Sequence, residues 1–181
     1  MSAADGRLGE SERLNMTQKT YFPSGEVQPA SQIGATLEAL AGTITARREV
    51  GDESYTCRLL SGPVDDVLKK VMEEAGEVAL AAKDVESWAC SSLAAALAID
   101  TGNESPASED ALGVELPAEY FDAVNHLRYE AADVMYHLLV VLERFGIDLD
   151  EFAAELNNRM TNEERPHGGI CLRDDCVKRG K

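Results

Sequence analysis

Positive charge is scarce in this chain: 17 Lys and Arg stand against 33 Asp and Glu in 181 residues, a net charge of −16. Binding to nucleic acid or to an anionic membrane rests on Lys and Arg contacts, so neither is an expected partner. A small phosphorylated substrate is not excluded, because divalent cations can bridge two negative partners. Long apolar runs are also missing. None approaches the roughly 20 residues of a membrane span. Near the N-terminus Asp5, Glu10 and Glu12 alternate with Arg7 and Arg13 and no apolar stretch follows, so a secretory signal is not expected and a cytoplasmic location is. Cysteine is limited to Cys57, Cys90, Cys171 and Cys176, too scattered for a disulfide scaffold. His167, Cys171 and Cys176 are zinc-ligand types, but their spacing fits no standard site. An alternating strand pattern of useful length is absent as well, which leaves an all-α fold.

What the chain has is apolar periodicity of helical step. Residues 1–30 are polar and broken by Pro23, Gly25 and Pro29, and read as a mobile arm. Ile33, Leu37, Leu40 and Ile44 step by one helix face, with Ser31 as the expected cap. Residues 53–56 read as a connecting loop. Pro63 then opens a second helix whose stripe is Val67, Val71, Ala75, Val78 and Ala82, expected to end near Lys83. An acidic insert occupies about 86–118, and the wider stretch 85–125 has eight acids and no Lys or Arg; Trp88–Ile99 within the insert reads as a separate short helix. A third helix runs from Pro117 to about Phe145, with Gly146 placed to end it. Asp148 and Glu151 form a capping box for a fourth, ending near Met160. The expected organisation is an all-α domain of four main helices over 31–160, followed by a tail over 161–181.

Two stretches 56 residues apart share one pattern: Glu74-Ala75-Gly76-Glu77-Val78 and Glu130-Ala131-Ala132-Asp133-Val134. Residues i and i+3 of a helix lie side by side, so each stretch projects two carboxylates together. At about 100° per residue the acids border the apolar stripe of their helix in both copies. Two such edges can meet, and the small residues beside the acids let the helices approach. Four converging carboxylates repel one another, and a hard cation such as Mg²⁺ relieves this while keeping positions open for phosphate oxygens. Mg²⁺ at such a site suits phosphoryl chemistry, by polarising phosphoryl oxygens and neutralising the charge that builds in an in-line displacement. A single E-x-x-E is usually a solvated helix face; the repeated phase is what argues otherwise. Glu73 lies off the shared face, with water orientation as its functional reading and surface exposure as the alternative. Lys70, one turn before Glu74, suits either a phosphate or an ion pair with Glu74. His137, two turns after Glu130, suits either substrate contact or a place in the core.

The strings Lys69-Lys70-Val-Met-Glu73-Glu74-Ala-Gly-Glu77-Val and Glu130-Ala-Ala-Asp133-Val-Met-Tyr136-His137 resemble the EExxE…ExxD signature of the MazG-type all-α nucleotide pyrophosphohydrolases. Within that group the chain is most similar to the phosphoribosyl-ATP pyrophosphohydrolases, over about 33–84 and 125–160. The resemblance implies hydrolysis of phosphoribosyl-ATP to phosphoribosyl-AMP and pyrophosphate in histidine biosynthesis, and an interdigitated homodimer that uses Mg²⁺. By position it implies Glu74, Glu77, Glu130 and Asp133 as metal ligands, with Glu73 and Glu74 in catalysis. Ser54, Tyr55, Thr56 and Lys70 would lie near the substrate. The acidic insert parts the two half-motifs more widely than is usual. Two other readings stay open: the same chemistry on free (d)NTPs as a house-cleaning activity, and a metal- or partner-binding helical dimer without turnover.

Overall fold

The structure is a computed structural model that describes residues 30–50, 54–100 and 116–177, with Tyr21 and Val27. Most of the expected N-terminal arm, and residues 101–115 of the acidic insert, lie outside the described residues. The chain divides into two units, Met1–Ala35 and Thr36–Lys181, and the second carries the features that follow. Among the described residues there are five helices and no strand: α1 (Ile33–Glu49), α2 (Tyr55–Ser61), α3 (Val64–Asp100), α4 (Ala118–Phe145) and α5 (Leu149–Asn157). The class is all-α, as the sequence indicated. No described helix is long and apolar enough to cross a membrane, and the four cysteines are unpaired.

Helix α2 replaces the expected loop. Ser54 is its N-cap, with extended backbone and an Oγ that accepts the Cys57 N–H at 3.0 Å. Two turns are too few for apolar periodicity to register. The helix stops at Gly62, whose N–H donates to the Arg58 carbonyl at 2.8 Å. A Cβ at Gly62 would stand 2.7 Å from that same oxygen, so the close approach requires glycine.

Helix α3 does not end at Lys83. It runs 37 residues, and the stretch from Trp88 is its continuation. No Gly or Pro interrupts residues 77–101, and the segment is rich in alanine, the strongest helix former. The expected stripe ends near Lys83 but the enclosed face does not: Val85, Ala89, Ser92 and Ala96 stay half-buried at the same spacing as the helix goes on. Helix α4 closes as expected. Gly146 takes the left-handed conformation (φ 69°), Ile147 N–H donates to Leu142 O and Gly146 N–H to Glu143 O, the two bonds of a Schellman end. Asp148 caps α5 by accepting the Glu151 N–H at 2.8 Å. That helix ends at Asn157, short of Met160, because the tail folds over it. Arg165 donates to Asn157 O at 2.7 Å and to Met160 O at 3.0 Å, and Asn157 donates to Ile170 O at 2.7 Å. Helix α1 begins at Ile33, two positions after Ser31 and too late for that residue to cap it.

The two long helices are antiparallel: Glu74 meets His137, and Glu77, a turn further along α3, meets Glu130, two turns earlier along α4. At one end of the pair Ile44 of α1, Leu59 and Leu60 of α2, Val67 of α3, and Leu139, Val140 and Leu142 of α4 form the core, with Leu149 and Phe152 of α5 against it. Ile44, Val67 and Val140 are fully enclosed, each worth about 1.5–3 kcal/mol by transfer from water. Arg144 ties the pieces together. Its guanidinium donates to Leu59 O at 2.6 Å, Leu60 O at 2.9 Å and Gly62 O at 2.7 Å, taking the open carbonyls at the end of α2.

Candidate metal and nucleotide site

The face that α3 turns toward α4 differs from the stripe expected, whereas Leu127, Val134, Leu138 and Val141 of α4 are half-enclosed as expected. On α3 the enclosed or half-enclosed positions include Val67, Val71, Glu74, Val78, Ala81 and Val85, while Ala75 and Ala82 are exposed. On α4 they include Ala123, Leu127, Glu130, Val134, His137 and Val141. Glu74 and Glu130 thus sit inside the seam and not on its border, at 7% and 6% exposure. Buried carboxylates demand partners, and each has a nitrogen-bearing side chain one turn earlier on its own helix. Lys70 Nζ lies 3.3 Å from Glu74 Oε1, and His126 Nε2 lies 2.9 Å from Glu130 Oε1. Sequence reasoning gave the lysine and missed the histidine, although position i−4 to Glu130 was the available signal.

Three of the four expected ligands converge. One carboxylate oxygen each from Glu74, Glu130 and Asp133 lies within 4.8 Å of the others. Glu77 stands beside them, more exposed. Its carboxyl is pushed above the usual carboxylate range, first by sharing a hydrogen bond with Glu74, then by partial desolvation and by repulsion from Glu74 and Glu130. A carboxyl that holds its proton among other acids marks a place where negative charge is in excess. The donor set is all oxygen, which suits a hard divalent ion.

The remaining sequence candidates fall into two groups. Glu73 is not one of the converging acids and is held by Lys69 at 3.1 Å and Lys70 at 3.2 Å, which keep its carboxyl below the usual range. Glu73 and Glu74 in turn hold the Lys70 ammonium protonated well beyond the ordinary lysine range. A part-buried polar network adjoins the acids. His137 Nδ1 is 2.9 Å from the Asp133 carbonyl, which can only accept, so this nitrogen carries a proton. In the neutral ring Nε2 is then the acceptor, and Tyr55 O–H donates to it at 3.1 Å. His137 Nδ1 also lies 3.9 Å from Glu74 Oε1. The hydroxyls of Thr56 and Tyr136 bond each other at 2.7 Å. Ser54 Oγ is occupied with capping α2. Burial pushes the Tyr55 phenol up, with Tyr136, Glu74 and Glu73 adding and Lys70 opposing.

Beside the acids opens a cleft of about 330 Å³, lined by Tyr55, Arg58, Asp66, Lys69, Lys70 and Glu73. Arg58 reaches over Tyr55, its Cζ 6.0 Å from the ring centroid. Three cations, Arg58, Lys69 and Lys70, meet there against two carboxylates, Asp66 and Glu73, a local excess of positive charge on a strongly acidic chain. Arg58 and Lys69 were not legible as site residues, because nothing in the sequence brings α2 against α3.

A carboxylate cluster between antiparallel helices with a cationic cleft at its edge describes an all-α pyrophosphohydrolase of the kind the sequence pattern resembles. Comparison with known proteins makes the placement specific. Residues 37–160 match the family model described as phosphoribosyl-ATP pyrophosphohydrolase. The chain is 31% identical to the phosphoribosyl-ATP pyrophosphatase of Paracidovorax citrulli over 135 residues, 72% of this chain and 74% of that one. It is 29% identical over 126 residues to the protein of the same name from Neisseria meningitidis, covering 69% of this chain and 83% of the relative. It is 28% identical over 143 residues to the histidine biosynthesis bifunctional protein HisIE of Thermus thermophilus, covering 78% of this chain and half of that one. No solved structure matches. The chain belongs to the phosphoribosyl-ATP pyrophosphohydrolase family.

Proposed function

We propose that this protein hydrolyses phosphoribosyl-ATP in the cytoplasm as a step of histidine biosynthesis. One water is consumed, the α–β phosphoanhydride bond breaks, and phosphoribosyl-AMP and pyrophosphate leave. The observation that carries the reading is the convergence of Glu74, Glu130 and Asp133 within 4.8 Å, in a chain whose family acts on this substrate class. Mg²⁺ is the cofactor we assign, held by Glu74, Glu77, Glu130 and Asp133; when bound it neutralises phosphate charge and lowers the pKa of water.

The chain's own residues set the geometry. Lys70, bonded to both Glu73 and Glu74, places an ammonium between the acids and the cleft, where the phosphate chain enters. Glu73, on the cleft side of the acids, is suited to accept a proton from the attacking water once phosphate draws the lysines from it. Ser54 starts α2, Thr56 anchors it to Tyr136, and His137 fixes the Tyr55 ring against the acids, so these three support the nucleotide wall from behind.

Both long helices leave apolar side chains outward, with Met72 at 74% exposure, Leu80 at 69% and Tyr129 at 64%. Outward faces of this kind favour the homodimer as the working state. The deciding experiment is pyrophosphate release from a panel of nucleotides with Mg²⁺. Phosphoribosyl-ATP should be the best substrate. Cleavage of a deoxynucleoside triphosphate with phosphoribosyl-ATP untouched would move the protein to house-cleaning chemistry. Metal binding without any turnover would make it a scaffold.

A further inference from the structure

Phosphoribosyl-ATP has two anionic ends: the triphosphate that is cut, and the phosphate monoester on its second ribose. The cluster of acids, once loaded with cations, accounts for the first. Nothing so far accounts for the second. The cleft of Tyr55, Arg58, Asp66, Lys69, Lys70 and Glu73 leads away from the acids. Lys70, in contact with Glu74 at 3.3 Å, belongs to the near end. Lys69 lies five positions before Glu74 on α3, about 7.5 Å along the helix axis, and Arg58 comes from α2 past the Tyr55 ring. Asp66 stands a further turn back on α3.

We propose that Arg58 and Lys69 bind the phosphate monoester of the second ribose, so that this end of the cleft selects phosphoribosyl-ATP over plain nucleoside triphosphates. The inference rests on the substrate reading given above. Arginine meets phosphate with a planar fork of donors, and a lysine beside it adds a point charge. The pairing of Lys69 with Glu73 at 3.1 Å is an i,i+4 pair on a lysine whose side chain is 75% exposed. Solvent-exposed pairs of this type are weak, so a phosphate dianion displaces the carboxylate with little opposition. Asp66 is an acceptor at the same end, able to take the hydroxyl hydrogens of a ribose and unable to take its phosphate. The cleft thus offers cations and an acceptor where a phosphorylated sugar needs both.

The test uses the full chain with Mg²⁺ and compares wild type with R58A and K69A. Each variant should raise KM for phosphoribosyl-ATP about tenfold, with kcat within about twofold. R58K should recover part of the loss. The inhibition constant of inorganic pyrophosphate, which has only the phosphate-chain chemistry, should not move. Two results overturn the proposal: a KM that stays at the wild-type value, or a pyrophosphate inhibition constant that rises in parallel, which would assign these cations to the phosphate chain. A wild type inactive on phosphoribosyl-ATP overturns the substrate reading itself, and is distinct from an active wild type with indifferent variants. Both residues are exposed, and equal thermal melts of variants and wild type exclude misfolding as the cause.

Discussion

The same pair of helices does two different things along its length. Near the start of α3 the seam with α4 is Val67 against Val140 and its neighbours, closed over by α1, α2 and α5. Two turns on, at the same helical phase, the seam is Glu74 facing Glu130, Asp133 and His137. The first stretch stabilises the fold by removing apolar surface from water. The second opposes it, because each enclosed charge gives up hydration and the acids repel one another. The backbone geometry is held by the closed end, and the open end uses that rigidity to keep like charges together until cations join them. Stability and chemistry are thereby separable by mutation.

The largest effect should come from Glu74→Gln, which keeps shape and removes charge. Pyrophosphate release should fall by about a thousandfold, in line with deletion of one preorganised electrostatic group. The melting temperature without divalent ions should stay the same or rise, since a source of repulsion is gone. A variant that keeps its rate, or that melts far below wild type, would mean the acids are structural and the contrast false. Leu139→Ala, at the closed end and 3% exposed, should behave oppositely. Denaturant unfolding should show a loss of about 2–5 kcal/mol, with turnover at low temperature retained.

Arg144→Ala probes the joint between the two regions. It leaves the carbonyls of Leu59, Leu60 and Gly62 without their donor, and should cost about 2 kcal/mol in denaturant unfolding. Because α2 also presents Tyr55, KM should rise in this variant while kcat changes less. If stability falls and KM stays put, α2 is fastened by its apolar contacts alone.

Much of this contrast was legible beforehand, and the parts that were not share a cause. Helix α4, its Gly146 end and the Asp148 cap follow from local chemistry, and local chemistry is what a sequence displays. The paired acids were found through their repeated spacing. Their burial was misjudged, because a carboxylate inside a helix seam breaks the apolar pattern that marks the seam. Choosing Ala75 and Ala82 over Glu74 and Ala81 rotated the expected face by a fraction of a turn. Helix α2 escaped because seven residues hold no period, and with it went Arg58, which it carries, and Arg144, whose acceptors lie at its end. The continuation of α3 past Lys83 was hidden by treating the end of an apolar stripe as the end of a helix.

The finest test of the contrast lies on one face of α3, where two carboxyls four residues apart titrate in opposite senses. Glu73, held by Lys69 and then Lys70, has its pKa lowered, so folding gains from its charge above the ordinary carboxylate range and loses that gain as pH falls through the lowered value. Glu77, beside Glu74 and Glu130, has its pKa raised. For a raised carboxyl the stabilising contribution is present below the unfolded value and is lost as pH rises through the folded one. In chelator, raising the pH from the ordinary carboxylate range to neutrality should therefore cost the wild type stability at Glu77. In Glu77→Gln that part of the loss should vanish, seen as a small upward shift of the neutral-pH melting temperature with no change in acid. Mg²⁺ should erase the difference in the wild type by taking the place of the proton. Identical pH profiles for the two proteins in chelator would show that Glu77 does not share the field of Glu74 and Glu130, and would remove it from the ligand set while leaving the other three.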